Sequence, residues 1–367
     1  VGEIRGEIHR LYSITPEQFA DALAHGRPLH DEKTIRTYVK DELRLLERTR
    51  PDIVVGDLRH SLSISARVAR IPCVALVNAY WSPYSSERLP VPTVALTRLL
   101  GVRVANLMFR ALQPVIFAAH CAPVNAVRRE YGHTGMLRDI RRMYTDADWV
   151  VYPDVPELVP ANGLPETHAY IGPILWSPAV AEPQWWRELP HDRPVVYVTL
   201  GSSGSLATLA GILGALADEP VTLAVAGVNY RGIAPRNAFV ADYLSGSDAV
   251  RRASLVISNG GSPTSYQALA QGRPVLGIPQ NMDQHVAIGF IARAGAGEQI
   301  RSEHVRPQKL RECMRRLLHN PEYRSQAVRL QHAFAEYNAA RRFEAVLQAA
   351  ARTIDEGTTT NPITPEY

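Results

Sequence analysis

The chain is poor in cysteine: Cys73, Cys121 and Cys313 are the only ones in 367 residues. They are scattered and show no pair spacing, which argues against a zinc site or a disulfide framework and fits a reducing compartment. Charge of one sign is not in large excess either. The 40 Lys and Arg against 36 Asp and Glu leave a formal charge of +4, a weak bias that gives no reason to expect a nucleic-acid partner. No stretch reads as a membrane span. The best candidate, Val91 to Val124, is interrupted by Arg98, Arg103, Arg110, Pro114 and His120; buried amphipathic helices are the commoner source of that pattern, and a peripheral membrane contact is the other. The opening VGEIRGEIHR has no initiator Met and has charges where a secretory leader needs an apolar run. A cytoplasmic protein is therefore expected, with peripheral membrane attachment as the alternative. No short-period repeat is found.

What remains is ordinary globular material, 46% hydrophobic and 21% charged, long enough for two cores. Thr34 to Arg50 has the apolar spacing of a helix and is stopped by Pro51. Ile53 to Val55 is a short apolar strand of the kind found in buried parallel sheets. Ser61 to Ala69 reads as a helix, Cys73 to Val77 as a strand, Val91 to Tyr131 as mostly helix, and Trp149 to Val151 as another strand. Gly172 to Pro194 is rich in proline and lacks periodicity, as an interdomain linker would. The strand–helix alternation then restarts with Val195 to Leu200, Leu206 to Ala217, Val221 to Ala226, Ala238 to Val240, Leu255 to Ser258 and Pro274 to Ile278. Two helical stretches, Val305 to Leu318 and Glu322 to Ala351, close the chain, and Asp355 to Tyr367 is expected to fray. The fold class is α/β, with two Rossmann-like domains facing a cleft. The expected division is 1–172, a linker 173–194, a second domain 195–340, and a terminal helix and tail 341–367.

Ser258 to Gln284, SNGGSPTSYQALAQGRPVLGIPQNMDQ, is the most informative run. A buried strand ends in Asn259-Gly260-Gly261, and a helix starts near Ser262-Pro263-Thr264, with Pro suited to the first turn and Ser or Thr to a cap. Two glycines let an anion approach the backbone, and the amides of the helix start can bind it. A plain strand-to-helix turn would have the same glycines, so the companions decide. Asn259, Gly260, Gly261, Thr264, Gln267, Gly272, Pro274, Pro279, Asp283 and Gln284 have the spacing of the donor signature of family 1, UDP-glycosyltransferase-like enzymes of the GT-B fold, which the chain resembles. Asn259 stands where that family has His against the donor phosphate. Gln267 stands where Glu holds the ribose.

The resemblance implies roles for further residues. Ser202 and Ser203, in the loop after Val195 to Leu200, would face the donor phosphates with Ser262, and Tyr243 would stack on the base, although a core Tyr is an equal reading. Asp283 and Gln284 would bind the sugar hydroxyls, with a helix cap as the alternative for Asp283. Asp57 matches the acid of the family's His–Asp dyad, in which His deprotonates the acceptor and Asp orients it; capping the next helix is the competing role. His60 is a candidate stand-in base. Tyr80 and Trp81 are candidate acceptor contacts or core. The strand–helix units that carry the dyad His are not found before Asp57, so the N-terminal domain is expected to be incomplete.

The resemblance thus implies an inverting glycosyltransferase that uses UDP- or dTDP-sugar as substrate, with a small-molecule or lipid-like acceptor and no cofactor. No Asp-x-Asp pair for Mg²⁺ is read, so metal-independent transfer is expected. A non-catalytic nucleotide-sugar-binding or auxiliary protein and a sugar-nucleotide epimerase are the alternatives.

Overall fold

The computed structural model describes residues 6–85, 89–201 and 204–355. Ser202, Ser203 and nearly all of the terminal tail lie outside the described residues. The chain divides into two compact units, one of 6–88, 100–173 and 337–367, the other of 89–99 and 174–336 together with the first five residues.

The first unit holds α1 (Pro16–Ala24), α2 (Glu32–Thr49), β1 (Val54–Asp57), α3 (Leu62–Ala69), β2 (Cys73–Leu76), most of α4 (Ala95–Glu130), α5 (Ile140–Tyr144), β3 (Trp149–Tyr152) and β4 (His168–Tyr170). Its strands pair in parallel in the order β1-β2-β3-β4, with Val54 opposite Cys73, Val74 opposite Trp149 and Val150 opposite His168. Neighbouring residues of a strand face opposite sides, and the two cores follow from that. Cys73 and Val54 bury with Leu46 and Ala66 of α2 and α3. Val74 and Val151 bury with Ile171, Val346 and Ala350.

The second unit holds β5 (Val195–Thr199), α6 (Leu206–Leu216), β6 (Thr222–Ala226), β7 (Ala238–Ala241), α7 (Gly246–Arg252), β8 (Leu255–Ser258), α8 (Ser262–Ala270), β9 (Val275–Gly277), α9 (Met282–Arg293), β10 (Gly297–Gln299), α10 (Pro307–His319) and α11 (Pro321–Ala335). All six strands are parallel, in the order β10-β9-β8-β5-β6-β7. The order therefore reverses between β5 and β8, the place where open α/β sheets receive ligands. The central strands are buried on both faces, which is why they read as continuous apolar runs.

The structure corrects one sequence expectation and refines two. The predicted helix over Glu322 to Ala351 is two helices, α11 and α12 (Ala339–Asp355), and α12 returns to the first unit. The apolar period runs through the break, but Asn338 Oδ1 accepts from Arg341 N at 3.0 Å, the bond of a helix start. The long stretch after Val91 is α4, broken at Gly101 with φ 77° and ψ 157°, a left-handed conformation that glycine reaches at little cost. And α4 is long and apolar enough, by length and composition, to cross a membrane, contrary to the reading from its scattered arginines.

Candidate active site

The loops after β5 and β8 meet at the reversal point of the second sheet. Gly201, in the left-handed region at φ 62°, lies so close that a Cβ there would stand 3.4 Å from Asn259 Nδ2. Ser258 Oγ accepts from Gly260 N at 3.0 Å, and Asn259 Oδ1 accepts from Gly261 N at 3.1 Å, so the loop's own side chains fix its turn. Gly260 has φ 81°, and a Cβ on it would meet Ile288 Cβ at 3.0 Å. Both facts demand glycine, and Ile288 of α9 thereby seats the loop.

The helix α8 starts one residue earlier than a Ser or Thr cap would place it. Gly261 is the N-cap, Ser262 and Pro263 open the helix, and no side chain caps it. A glycine cap leaves helix-start amides to be satisfied from outside the helix, and the helix dipole favours an anion there. Ser262 is buried and Thr264 half-buried on this first turn.

Further along α8, Gln267 Nε2 donates to the Trp176 carbonyl at 2.6 Å. A Cβ on Gly246 would stand 2.4 Å from Gln267 Oε1. Ser177 Oγ accepts from Gly246 N at 2.8 Å. The segment read as linker therefore packs beside Gln267 and Gly246, and Trp176 is 60% exposed there. Its sequence signal is a large apolar side chain in an aperiodic stretch, which composition alone reads as linker. Tyr243 is also 60% exposed, so it is not a core tyrosine.

The role expected of Asp283 as a cap falls to Asn281, whose Oδ1 accepts from Gln284 N at 3.0 Å. Gln284 Oε1 returns the bond, accepting from Gln280 N at 3.0 Å and Asn281 N at 3.4 Å. This capping box fixes Gln284, which is 5% exposed, and sets Asp283 in the first turn of α9. A feature not visible in the sequence holds this loop: the segment 89–94. Thr93 N donates to the Gln280 carbonyl at 3.2 Å. Thr93 Oγ1 donates to Glu303 Oε2 at 2.8 Å and lies 3.1 Å from His285 Nε2. Arg301 donates to the carbonyls of Val91 and Pro92 at 3.0 and 3.2 Å, and to Glu303 Oε1 at 2.8 Å. Burial opposes the Glu303 charge, yet hydrogen bonds from its own backbone, Arg301 and Thr93 bring its pKa down to about 2. Burial, with the Arg301 charge, lowers His285 to about 4, so it is neutral near pH 7.

In the first unit, Asp57 ends β1. Its carboxyl is raised above the ordinary range by desolvation. Asp57 is not the cap of α3: the N-cap is Ser61, with no side-chain cap bond, because Ser61 Oγ donates to buried Glu42 at 2.5 Å. Leu58, immediately after Asp57, has φ 49°, a strained conformation for a branched side chain. His60 is buried and stacked on Tyr144, ring centroids 4.9 Å apart at 15°. Desolvation, with the nearby His30, takes its pKa to about 3, too low for an effective general base at neutral pH.

Tyr80 and Trp81 are 1% and 6% exposed. The turn before them is tied down by Asp154, which accepts from Asn78 Nδ2 at 3.1 Å and from Ala79 N at 2.6 Å. The chain does contain an Asp-x-Asp, Asp146-Ala147-Asp148, contrary to the sequence reading. Asp146 is committed to Arg67, Arg128 and Ser63. Asp148 accepts from Cys73 N at 2.9 Å. Among the described residues no group of His, Cys, Asp and Glu is placed to hold a metal ion.

Residues 212–341 match the family described as erythromycin biosynthesis protein CIII-like, C-terminal domain. The chain is 46% identical over 328 residues to a PGL/p-HBAD biosynthesis glycosyltransferase of Mycobacterium tuberculosis, covering 89% of this chain and 77% of that protein. It is 47% identical over 328 residues to a PGL/p-HBAD biosynthesis rhamnosyltransferase of Mycobacterium bovis, covering 89% of this chain and 73% of that one. In fold it is similar to the spinosyn rhamnosyltransferase SpnG complexed with thymidine diphosphate, with TM-score 0.64 and 18% identity, covering 89% of this chain and 81% of that one. The fold is that of the GT-B glycosyltransferases.

Proposed function

We infer the reaction from one premise: the chain belongs to the glycosyltransferase family of these mycobacterial relatives, and it is a glycosyltransferase. The donor proposed is a dTDP-linked 6-deoxyhexose of the rhamnose type, with UDP-sugars as the second choice. The acceptor proposed is a hydroxyl on a lipid-like or small aromatic molecule. The relatives' rhamnosyltransferase name and the thymidine diphosphate complex of SpnG favour this donor.

The observation that carries the reading is the uncapped start of α8 beside Asn259 and Gly260, at the reversal point of the sheet. There the diphosphate is bound by backbone amides, and the same amides stabilise the charge that grows on it as the glycosidic bond breaks. On this reading no metal and no cofactor is required. Thr264, with Ser202 and Ser203 from the loop after β5, completes the phosphate contacts. Gln267 takes the ribose, Tyr243 or Trp176 the base, and Asp283 and Gln284 the sugar. The acceptor oxygen attacks in line with the departing diphosphate, so the anomeric configuration inverts. Asp57 is the carboxylate of the acceptor side, in the place of the family's dyad acid, and Tyr80 and Trp81 shape that side from within.

A product assay with radiolabelled dTDP-rhamnose and UDP-glucose tests the reading. Transfer from dTDP-rhamnose to a phenolic or lipid acceptor, with inversion, is expected. Transfer from UDP-glucose alone would overturn the donor assignment. Sugar release without transfer, or an epimerised donor, would overturn the reaction.

A further inference from the structure

Beyond Gly101, α4 runs through the first unit with two unlike faces. One is core: Ala105, Phe109, Phe117, Cys121, Val124 and Val127 are all at most 8% exposed. The other is apolar and open: Val104 is 49% exposed, Leu107 71%, Met108 39%, Leu112 50% and Val115 68%. At about 1.5 Å per residue the open strip over 104–115 is roughly 17 Å long. Arg103 and Arg110, two turns apart and exposed, run alongside it, and neither has an acidic partner among the described residues. From residue 89 to residue 129 the sequence has no Asp and no Glu.

We propose that this face of α4 rests on an anionic lipid surface, with Leu107, Met108, Leu112 and Val115 entering the headgroup boundary and Arg103 and Arg110 meeting lipid phosphates. An apolar strip bordered by cations is the pattern of a helix that lies in the membrane interface. The helix does not cross the bilayer. Asn125 donates to the Leu137 carbonyl at 2.7 Å and accepts from its amide at 3.0 Å, and Arg128 pairs with Asp146. Those ties, with the buried face, hold α4 in its unit. A second copy of the chain fits less well, because a two-fold contact through this strip brings the arginines of both copies together without an acid. A small apolar molecule fits less well too, since such ligands take concave sites and a helix face is convex.

The test is co-sedimentation of the chain with phosphatidylcholine vesicles and with vesicles in which one third of the lipid is phosphatidylglycerol. It needs neither donor nor acceptor, so it stands apart from the reading of the reaction. Binding to the anionic vesicles only, weakened by salt, is expected. Replacing Arg103 and Arg110 together by Ser should lower the partition coefficient about thirtyfold, and Leu107→Glu with Val115→Glu should lower it tenfold or more, roughly. Circular dichroism and thymidine diphosphate binding should be unchanged in both. Failure of the chain to sediment with anionic vesicles would overturn the proposal. So would equal binding to both vesicle types with the arginine variant unaffected, or a dimer in sedimentation equilibrium that Leu107→Glu makes monomeric.

Discussion

In the sheet of the second unit the strand order reverses between β5 and β8, whereas the described strands of the first unit follow one another from β1 to β4 without reversal. The reversal leaves two strand ends with their loops side by side, and the donor site proposed there is made of backbone: Gly201, Gly260, Gly261 and the start of α8. At the strand ends of the first unit the candidates are single side chains: Asp57, its carboxyl raised by desolvation, is the one proposed for the chemistry, while Asp154 holds a turn. A backbone site needs particular residue types at particular spacings, so it leaves a motif. A side-chain site needs only that a carboxylate arrive in the right place.

This contrast makes different substitutions fail in different ways. The largest effect is expected from Asp57→Asn, which should lower kcat about a thousandfold while leaving nucleotide affinity nearly unchanged. Steady-state kinetics with nucleotide titration checks it, and a matching loss of affinity would show that Asp57 belongs to the donor side.

Acidification should strike both units through their buried histidines. His60 and His285 have native pKa values of about 3 and about 4, below the unfolded value. The unfolded chain therefore binds protons that the native chain refuses, and stability falls as pH drops below about 6.5. By about pH 5 each contributes a loss of order 2 kcal/mol. Denaturant unfolding across that range measures it, and His285→Gln should flatten the dependence.

Gly260→Ala should weaken nucleotide binding roughly tenfold, because alanine at φ 81° costs about 1–2 kcal/mol and its methyl presses on Ile288. Calorimetric titration with thymidine diphosphate reads it. The smallest effect is expected from Thr93→Val, which loses the bonds to Glu303 and His285 but keeps the backbone bond to Gln280. The donor KM should rise about fivefold with kcat retained, the size of one lost hydrogen bond.

Much of this was legible in the sequence where local physics decides the outcome. The strands β5 and β8 announce themselves because both faces are buried, and Asn259 to Gln284 keeps its spacing because glycine and proline have few substitutes there. The edge strand β10, Gly297–Gln299, is Gly-Glu-Gln and has no apolar signal; pairing with β9 alone makes it a strand. The helix α1 carries a local signal of its own, since Thr15 and Gln18 form a capping box. Nothing local could place Thr93 beside Gln280, or Trp176 beside Gln267, since those contacts span long stretches of chain. The fate of His60 was equally hidden, because its burial comes from Tyr144 and His30, far away in sequence.

Amide hydrogen exchange with and without thymidine diphosphate tests the donor site at its own atoms. Slowed exchange confined to the loop after β5 and to Asn259 through Thr264, with smaller protection at Gln280 to Gln284, is the predicted result. Protection centred on the strand ends of the first unit, with the start of α8 unchanged, would contradict it.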